Sequence, residues 1–284
     1  DATFGRGGHS LAILQRLNQK GRLFIFDKDP AAITYAKQLA SEDQRITVIH
    51  ASFCELEKYI GEYDKLGEIS GILFDLGMSS PQLDDAERGF SFSRDGELDM
   101  RMNTSSGPSA AEWINKAKQD EIIRVLREYG EERFARRIAS KIVECRAEKE
   151  ITRTGQLSEL IVSALPFREK EKHPATRSFQ AIRIFINNEL DELRLALEQT
   201  NKVLGTGGRL AVISFHSLED RIVKRFMREQ SLGDNFPPDL PVTVDQLQPH
   251  MKLIGRAVKP SADEIYRNPR ARSAVLRCAE KLAA

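Results

Sequence analysis

The chain has 284 residues, 40% hydrophobic and 30% charged, and its 43 basic and 42 acidic side chains leave a formal net charge of +1. That is enough apolar material for a substantial core in one large domain or two smaller ones. The near-neutral total excludes indiscriminate coating of nucleic acid, and no apolar run approaches the roughly 18 residues a membrane span needs.

The first element is a glycine-rich loop, Asp1-Ala2-Thr3-Phe4-Gly5-Arg6-Gly7-Gly8-His9, which runs into the helical pattern Leu11, Leu14, Leu17. Glycines there remove the Cβ atoms that would hold a ligand away, and a following helix offers unpaired N–H groups to a carboxylate or phosphate. Next, Leu23–Phe26 reads as a buried parallel strand ending in Asp27-Lys28-Asp29-Pro30, with Asp27 placed to grip a ribose. A dinucleotide enzyme would use the same geometry, but Ser10 stands where the third glycine of that fingerprint belongs. Acids recur at strand ends, Asp27 and Asp29 and then Asp75 after Gly71–Phe74, and a pyrophosphate would be repelled by them. S-adenosylmethionine (AdoMet) carries a sulfonium and an ammonium beside one carboxylate, so the charge pattern favours AdoMet over NAD. For any single Asp, a helix N-cap or turn former is the plainer alternative.

Strand-like runs at Leu23–Phe26, Ile46–Ile49, Gly71–Leu76 and Arg209–Phe215 alternate with helical patterns, as in a doubly wound parallel sheet. A chain that opens on Asp1 suggests that a first strand lies upstream, and the lack of a signal-peptide pattern points to the cytoplasm. The gap between the third and fourth runs exceeds one crossover and places a helical insert at 105–173. Asn103–Pro108 marks one of its borders and the charge run Arg168–Lys172 the other. Within it, Trp113, Ile114, Ile122, Ile123, Val125, Leu126, Phe134, Ile138 and Ile142 recur at three- and four-residue spacing. Arg133, Arg136, Arg137 and Lys141 lie beside that stripe, able to track a phosphate backbone or to pair with Glu131, Glu132 and Glu144 as a solvated face. Residues 1–101 hold 12 basic and 17 acidic side chains and residues 200–284 hold 14 and 9, an acidic half for a cation and a basic half for phosphates. Cys54, Cys145 and Cys278 lie far apart and the five histidines have no ligand spacing, so neither a disulfide framework nor a protein-bound metal is expected.

Six stretches in order carry a family resemblance: F-D-L-G-M-S-S-P-Q-L-D-D-A-E-R-G-F-S-F from Phe74, D-M-R-M from Asp99, Y-G-E-E-R-F-A-R-R-I-A from Tyr129, H-P-A-T-R-S-F-Q-A-I-R-I from His173, S-F-H-S-L-E-D-R-I-V-K-R-F from Ser214 and N-P-R-A-R-S from Asn268. Together they resemble the RsmH (MraW) family of bacterial AdoMet-dependent enzymes that methylate N4 of a cytidine in the decoding region of 16S ribosomal RNA. The resemblance implies an α/β fold, a Rossmann-like class I AdoMet-dependent methyltransferase sheet formed by residues 1–104 and 174–284. Residues 105–173 would then be an inserted helical domain for RNA substrate recognition. It implicates Gly7, Gly8, His9, Asp27, Phe53, Asp75 and Gln82 in cofactor binding. The sequence departs from the family at Asn103, commonly Asp, and at Glu97, often Pro. Other classes consistent with the same residues are an AdoMet enzyme acting on DNA or protein and a non-catalytic RNA-binding module.

Methyl transfer to cytosine N4 requires that the amine's delocalised lone pair be localised, by acceptors that hold its two protons. Asp75 is the expected acceptor, assisted by Ser79, Ser80 or backbone carbonyls. DNA amino-methyltransferases stack the extruded base on an aromatic ring after two prolines, whereas here Pro81 is followed by Gln82, leaving Phe90 or Phe92 as candidates. His216, past the Arg209–Ile213 strand, could contact the base or a phosphate or make a structural hydrogen bond. Arg133, Arg136, Arg137, Lys141, Arg221, Lys224, Arg225, Arg270 and Arg272 are the expected contacts to RNA. The expected partner is 16S rRNA in the small ribosomal subunit, with no membrane and no obligate protein partner; the oligomeric state stays open.

Overall fold

The computed structural model describes residues 1–166, 173–233 and 247–283, so the charge run 168–172 lies outside the described residues. The chain divides into two compact units, residues 1–77 with 190–284, and residues 78–189.

The first unit is built on parallel strands. Strands β1 (Leu23–Asp27) and β2 (Ile46–His50) pair in register from Leu23 opposite Ile46 to Asp27 opposite His50. Strand β3 (Ile69–Asp75) pairs parallel with β4 (Leu204–Ser214), and β6 (Val275–Lys281) runs antiparallel between β4 and β5 (Met251–Leu253). Residues 1–4 join the two groups. Phe26 N donates to Asp1 O (2.9 Å) and Phe4 N to Phe26 O (3.1 Å) on one side, while Ala2 N donates to Leu73 O (2.9 Å) on the other. The order across the unit is therefore β2-β1-(1–4)-β3-β4-β6-β5, a Rossmann-like arrangement with β6 reversed.

Helices α2 (Pro30–Glu42) and α3 (Leu56–Glu62) make the crossovers from β1 to β2 and from β2 to β3, and α10 (Glu189–Val203) leads into β4. Helix α2 starts where Asp29 and Pro30 dictate: the Asp29 side chain accepts from Ala31 N at 2.9 Å and proline occupies the first turn. Strand residues Ile25, Phe26, Phe74, Leu210 and Val212 are almost wholly buried. Each such side chain contributes roughly 1.5–3 kcal/mol of transfer free energy, which explains why these strands read as continuous apolar runs.

The first three expected strands are present with ends shifted by at most two residues, but β4 begins five residues before Arg209. Two glycines of the added stretch, Gly205 and Gly208, permit a close crossing. A Cβ at Gly205 would stand 2.8 Å from Gly67 O, and one at Gly208 would stand 2.7 Å from Ile69 O. The register of β3 against β4 shifts at this point, between Ile69 and Gly71.

The second unit is helical: α4 (Ser80–Asp84), α5 (Ala110–Lys116), α6 (Gln119–Gly130), α7 (Ala135–Glu148), α8 (Thr154–Ala164) and α9 (Thr176–Ile186). Its core is Leu98, Met100, Ile114, Ile122, Leu126, Ile138, Ile142 and Leu157, all at most 1% exposed. The spacing of apolar residues places α5, α6 and α7 as expected, but Arg133 lies in the turn before α7 rather than on it. Residues 105–166 and 173 fall inside this unit, which also takes in 78–104 and 174–189. The reason lies in what those flanks bury. Leu98, Met100 and Met102 enter the helical core, and the Asn187 side chain accepts from Met102 N and donates to Met100 O, both at 2.7 Å. Arg183 and Glu189 close the far end as a buried bidentate pair, 2.9 Å at each contact. Among the described residues no helix is long and apolar enough to cross a membrane.

Candidate functional site

The carboxyl ends of β1 and β3 meet the glycine-rich loop, and side chains staple that loop to the sheet. Asp27, the last residue of β1, accepts from Gly5 N through Oδ2 and from Asp29 N through Oδ1, both at 2.8 Å. Burial pushes the Asp27 carboxyl up from its ordinary value, with those two backbone donors opposing the shift. The Asp1 carboxylate accepts from Thr3 N at 3.1 Å and from the Ser10 hydroxyl at 2.7 Å. Ser10 is completely buried, so the residue that breaks the dinucleotide fingerprint is a structural donor here. Thr3 Oγ1 in turn accepts from Asp75 N at 2.6 Å.

Gly7 sits at φ +76°, and a Cβ there would lie 2.7 Å from Phe4 Cε2, so this position requires glycine for the chain's own geometry. Gly8 differs. It is the exposed first residue of α1 (Gly8–Leu14), and a Cβ on it would meet nothing within 4 Å. Glycine at this position answers no packing demand of the protein.

His9 Nε2 lies 3.3 Å from Asp75 Oδ2. The hydrogen bond with Asp75, reinforced by its charge, raises the His9 pKa above its ordinary value against the opposing effect of partial burial. The other oxygen, Asp75 Oδ1, is buried and accepts no hydrogen bond among the described residues. A buried acceptor without a donor is costly, and it sits next to backbone that a ligand could approach at Gly8.

Phe53 opens a 3-10 turn (Phe53–Glu55) just past β2, where Ser52 Oγ accepts from Cys54 N at 3.3 Å. Its half-buried ring meets Phe74 edge-on, with centroids 5.5 Å apart. Ser52 also donates to Glu192 at 2.8 Å, and Lys28 reaches the same carboxylate at 2.8 Å. Thus Gly7, Gly8, His9, Asp27, Phe53 and Asp75 share one edge of the first unit, the edge at which open α/β sheets bind ligands. His216 belongs to the same edge, since β4 ends at Ser214. It caps α11 (Ser217–Leu232), with Nε2 3.0 Å from Glu219 Oε1, while Glu219 Oε2 accepts from Phe215 N at 2.8 Å.

In the second unit Ser79 is the N-cap of α4, and its backbone N donates to the buried Gln82 Oε1 at 2.8 Å. Ser80 is the exposed first residue of that helix. Phe90, expected as a possible stacking surface, is 5% exposed and packed in the helical core, which removes it from that role. Phe92 stacks on His173 at 4.4 Å and meets Phe179 edge-on at 5.0 Å. Arg133, Arg136 and Arg137 are exposed with no partner among the described residues, whereas Lys141 pairs with Glu144 at 3.1 Å. In the first unit Arg221 and Lys224 are exposed on α11 and Arg225 pairs with Glu229 at 2.8 Å. Arg270 and Arg272 stand exposed in a 3-10 turn, Pro269–Ser273.

Sequence reasoning passed over Thr3 and the side chain of Asp1. Their signal is present in hindsight: a hydroxyl and a carboxylate interleaved with glycines can satisfy the backbone donors of an irregular loop.

A family model, the MraW methylase family, matches residues 1–282. Ribosomal RNA small subunit methyltransferase H of Nitrosococcus oceani is 58% identical over 282 residues, covering 99% of this chain and 90% of the relative. Proteins of the same name from Coxiella burnetii and Pseudoalteromonas atlantica are 55% and 56% identical. Each covers 99% of this chain, and the chain covers 92% and 91% of them.

Proposed function

The chain belongs to the MraW methylase family, and on that premise we propose that it transfers a methyl group from AdoMet to N4 of a cytidine in the decoding region of 16S ribosomal RNA, acting on the small ribosomal subunit. The observation that carries this reading is Asp75: its buried Oδ1 needs a donor, and a cationic N–H from the cofactor or an N–H of the target amine fits it. The names of the relatives support ribosomal RNA as the substrate.

Gly7, Gly8 and His9 would hold the methionine end of AdoMet, Asp27 the ribose and Phe53 a face of the adenine. When bound, the cofactor supplies an electrophilic methyl on a sulfonium. Asp75 accepts an amine proton of the cytosine and so localises the N4 lone pair, with nearby backbone carbonyls holding the second proton. Thr3 fixes the backbone from which Asp75 projects. The extra proton on the methylated amine, strongly acidic, passes to water, so no side chain has to act as base. RNA is held by Arg133, Arg136, Arg137 and Lys141 on the helical unit and by His216, Arg221, Lys224, Arg225, Arg270 and Arg272 on the other.

The test is to incubate small subunits lacking endogenous methylation with labelled AdoMet and to map the modified nucleotide. Label on N4 of one decoding-region cytidine supports the reading. Label in protein or DNA, or RNA binding with no label anywhere, replaces it with one of the other classes.

A further inference from the structure

Beyond the residues assigned above, one element of the first unit is built against the usual rule. Between Val258, which bridges to Leu276, and the start of β6 at Val275, the chain leaves the sheet. From Lys259 to Ser273 only Ala271 is buried and only Pro260 and Ile265 are half-buried. A segment with so little core keeps its shape through local hydrogen bonds. Ser261 Oγ caps α12 (Ala262–Arg267) by accepting from Glu264 N at 3.1 Å, Asn268 N donates to Glu264 O at 2.7 Å, and Ala271 N donates to Asn268 O at 3.0 Å.

This ordered arm presents Tyr266, which is 89% exposed and makes no ring or cation contact among the described residues. Lys259, Arg267, Arg270 and Arg272 accompany it, against two acids, Asp263 and Glu264, which occupy the first turn of α12 where they suit the helix dipole. An aromatic ring with open faces among cations is the composition that binds single-stranded nucleic acid: stacking for a base, positive charge for the backbone. Position agrees. Asp75 lies opposite Ile213 in β4, and the next residue, Ser214, lies opposite Val275. The arm therefore leaves the sheet at the edge that carries Asp75, about two strand spacings or 10 Å away.

We propose that the arm 259–273 grips single-stranded ribosomal RNA beside the target nucleotide, with Tyr266 stacking on an unpaired base and the surrounding cations following the phosphates. The proposal rests on the reading of the substrate as ribosomal RNA and adds to it a contact that positions the strand.

The test compares the full chain with Tyr266→Ala and Tyr266→Phe, measuring affinity for a single-stranded oligoribonucleotide spanning the decoding-region cytidine, AdoMet affinity, and methyl transfer to small subunits. Tyr266→Ala should weaken RNA binding about 5- to 150-fold, the range for losing one stacked aromatic. AdoMet affinity should not move, and Tyr266→Phe should stay near wild type, since a phenyl ring stacks without the hydroxyl. Equal RNA affinity for all three proteins overturns the proposal. So does a Phe variant as weak as the Ala variant, or a sedimentation shift showing that Tyr266 joins two copies of the chain. A wild-type protein that binds the RNA without methylating it refutes the reaction instead, and the binding comparison still decides the role of Tyr266.

Discussion

Gly8→Ala separates the protein's own needs from those of its ligand. Gly8 has ordinary backbone dihedrals, sits in the first turn of α1, and points its missing Cβ into space with no atom within 4 Å. Alanine there removes freedom from the unfolded chain without strain, so the ligand-free protein should gain about 0.4–1 kcal/mol. For a unit of this size that raises the melting temperature by about 1–4 °C. If the cofactor lies against this backbone, the added methyl intrudes on it, and affinity should fall at least tenfold, about 1.4 kcal/mol. Gly7→Ala is the control with the opposite sign of stability: φ +76° costs a non-glycine residue about 1–2 kcal/mol, and Phe4 must also move from 2.7 Å. Calorimetric melting without ligand and titration with AdoMet read the two quantities independently. A Gly8→Ala protein that melts higher yet binds AdoMet within twofold of wild type would refute contact at Gly8. One that melts lower would refute the reading of the loop as free of packing constraint.

Asp75→Asn should lower kcat/KM for methyl transfer by at least about a hundredfold, the scale of losing one pre-organised polar contact, while melting near pH 8 stays within about 2 °C because the amide oxygen can still face His9 and Oδ1 has no partner to lose among the described residues; retained turnover sinks its assigned role. The raised His9 pKa has a definite sign: the protonated imidazole's pairing with Asp75 contributes stability below the unfolded value of about 6.5 and is lost as pH rises through the folded value. A cationic cofactor competes with that imidazolium for Asp75, so AdoMet affinity should increase between pH 6 and pH 8. His9→Asn should flatten the slope, and an unchanged slope in the variant would remove His9 from the account. Charge reversal at Arg136 and Arg137 together should weaken binding to ribosomal RNA and reduce the salt dependence by roughly two counterions without altering AdoMet affinity; unchanged binding would assign the RNA surface elsewhere.

The parallel strands were legible because burial on both faces leaves a continuous apolar run, as in Leu23–Phe26 and Ile72–Phe74. The helical unit was legible through its three- and four-residue spacing. The antiparallel pair β5 and β6 was not. Val275–Lys281 has one buried residue, Ala279, and six half-buried ones, so it shows neither a solid apolar run nor clean alternation. The acids gather at one sheet edge as their spacing implies, yet their number overstates how many are free of duties within the protein. Asp29 caps a helix and Asp1 staples a loop, outcomes that composition cannot distinguish from ligand contact because both use a carboxylate accepting N–H or O–H bonds.

That ambiguity has a physical root. A glycine-rich loop that lets a ligand approach also exposes its own amides, and nearby carboxylates must accept them. Asp27 shows that the two duties are compatible. Each of its oxygens takes one backbone N–H, from Gly5 and from Asp29, while an ionised carboxylate has roughly four acceptor positions. Two remain, enough for the ribose hydroxyls of the proposed function, and the carboxyl is already oriented by the loop it supports. Removing Asp27 would therefore disorder Gly5 and with it the approach to Gly8, so loss of cofactor binding in such a variant would not by itself locate the ribose. Asp75 is the cleaner probe because its own backbone is held by Thr3 and one of its oxygens has no hydrogen-bond partner among the described residues.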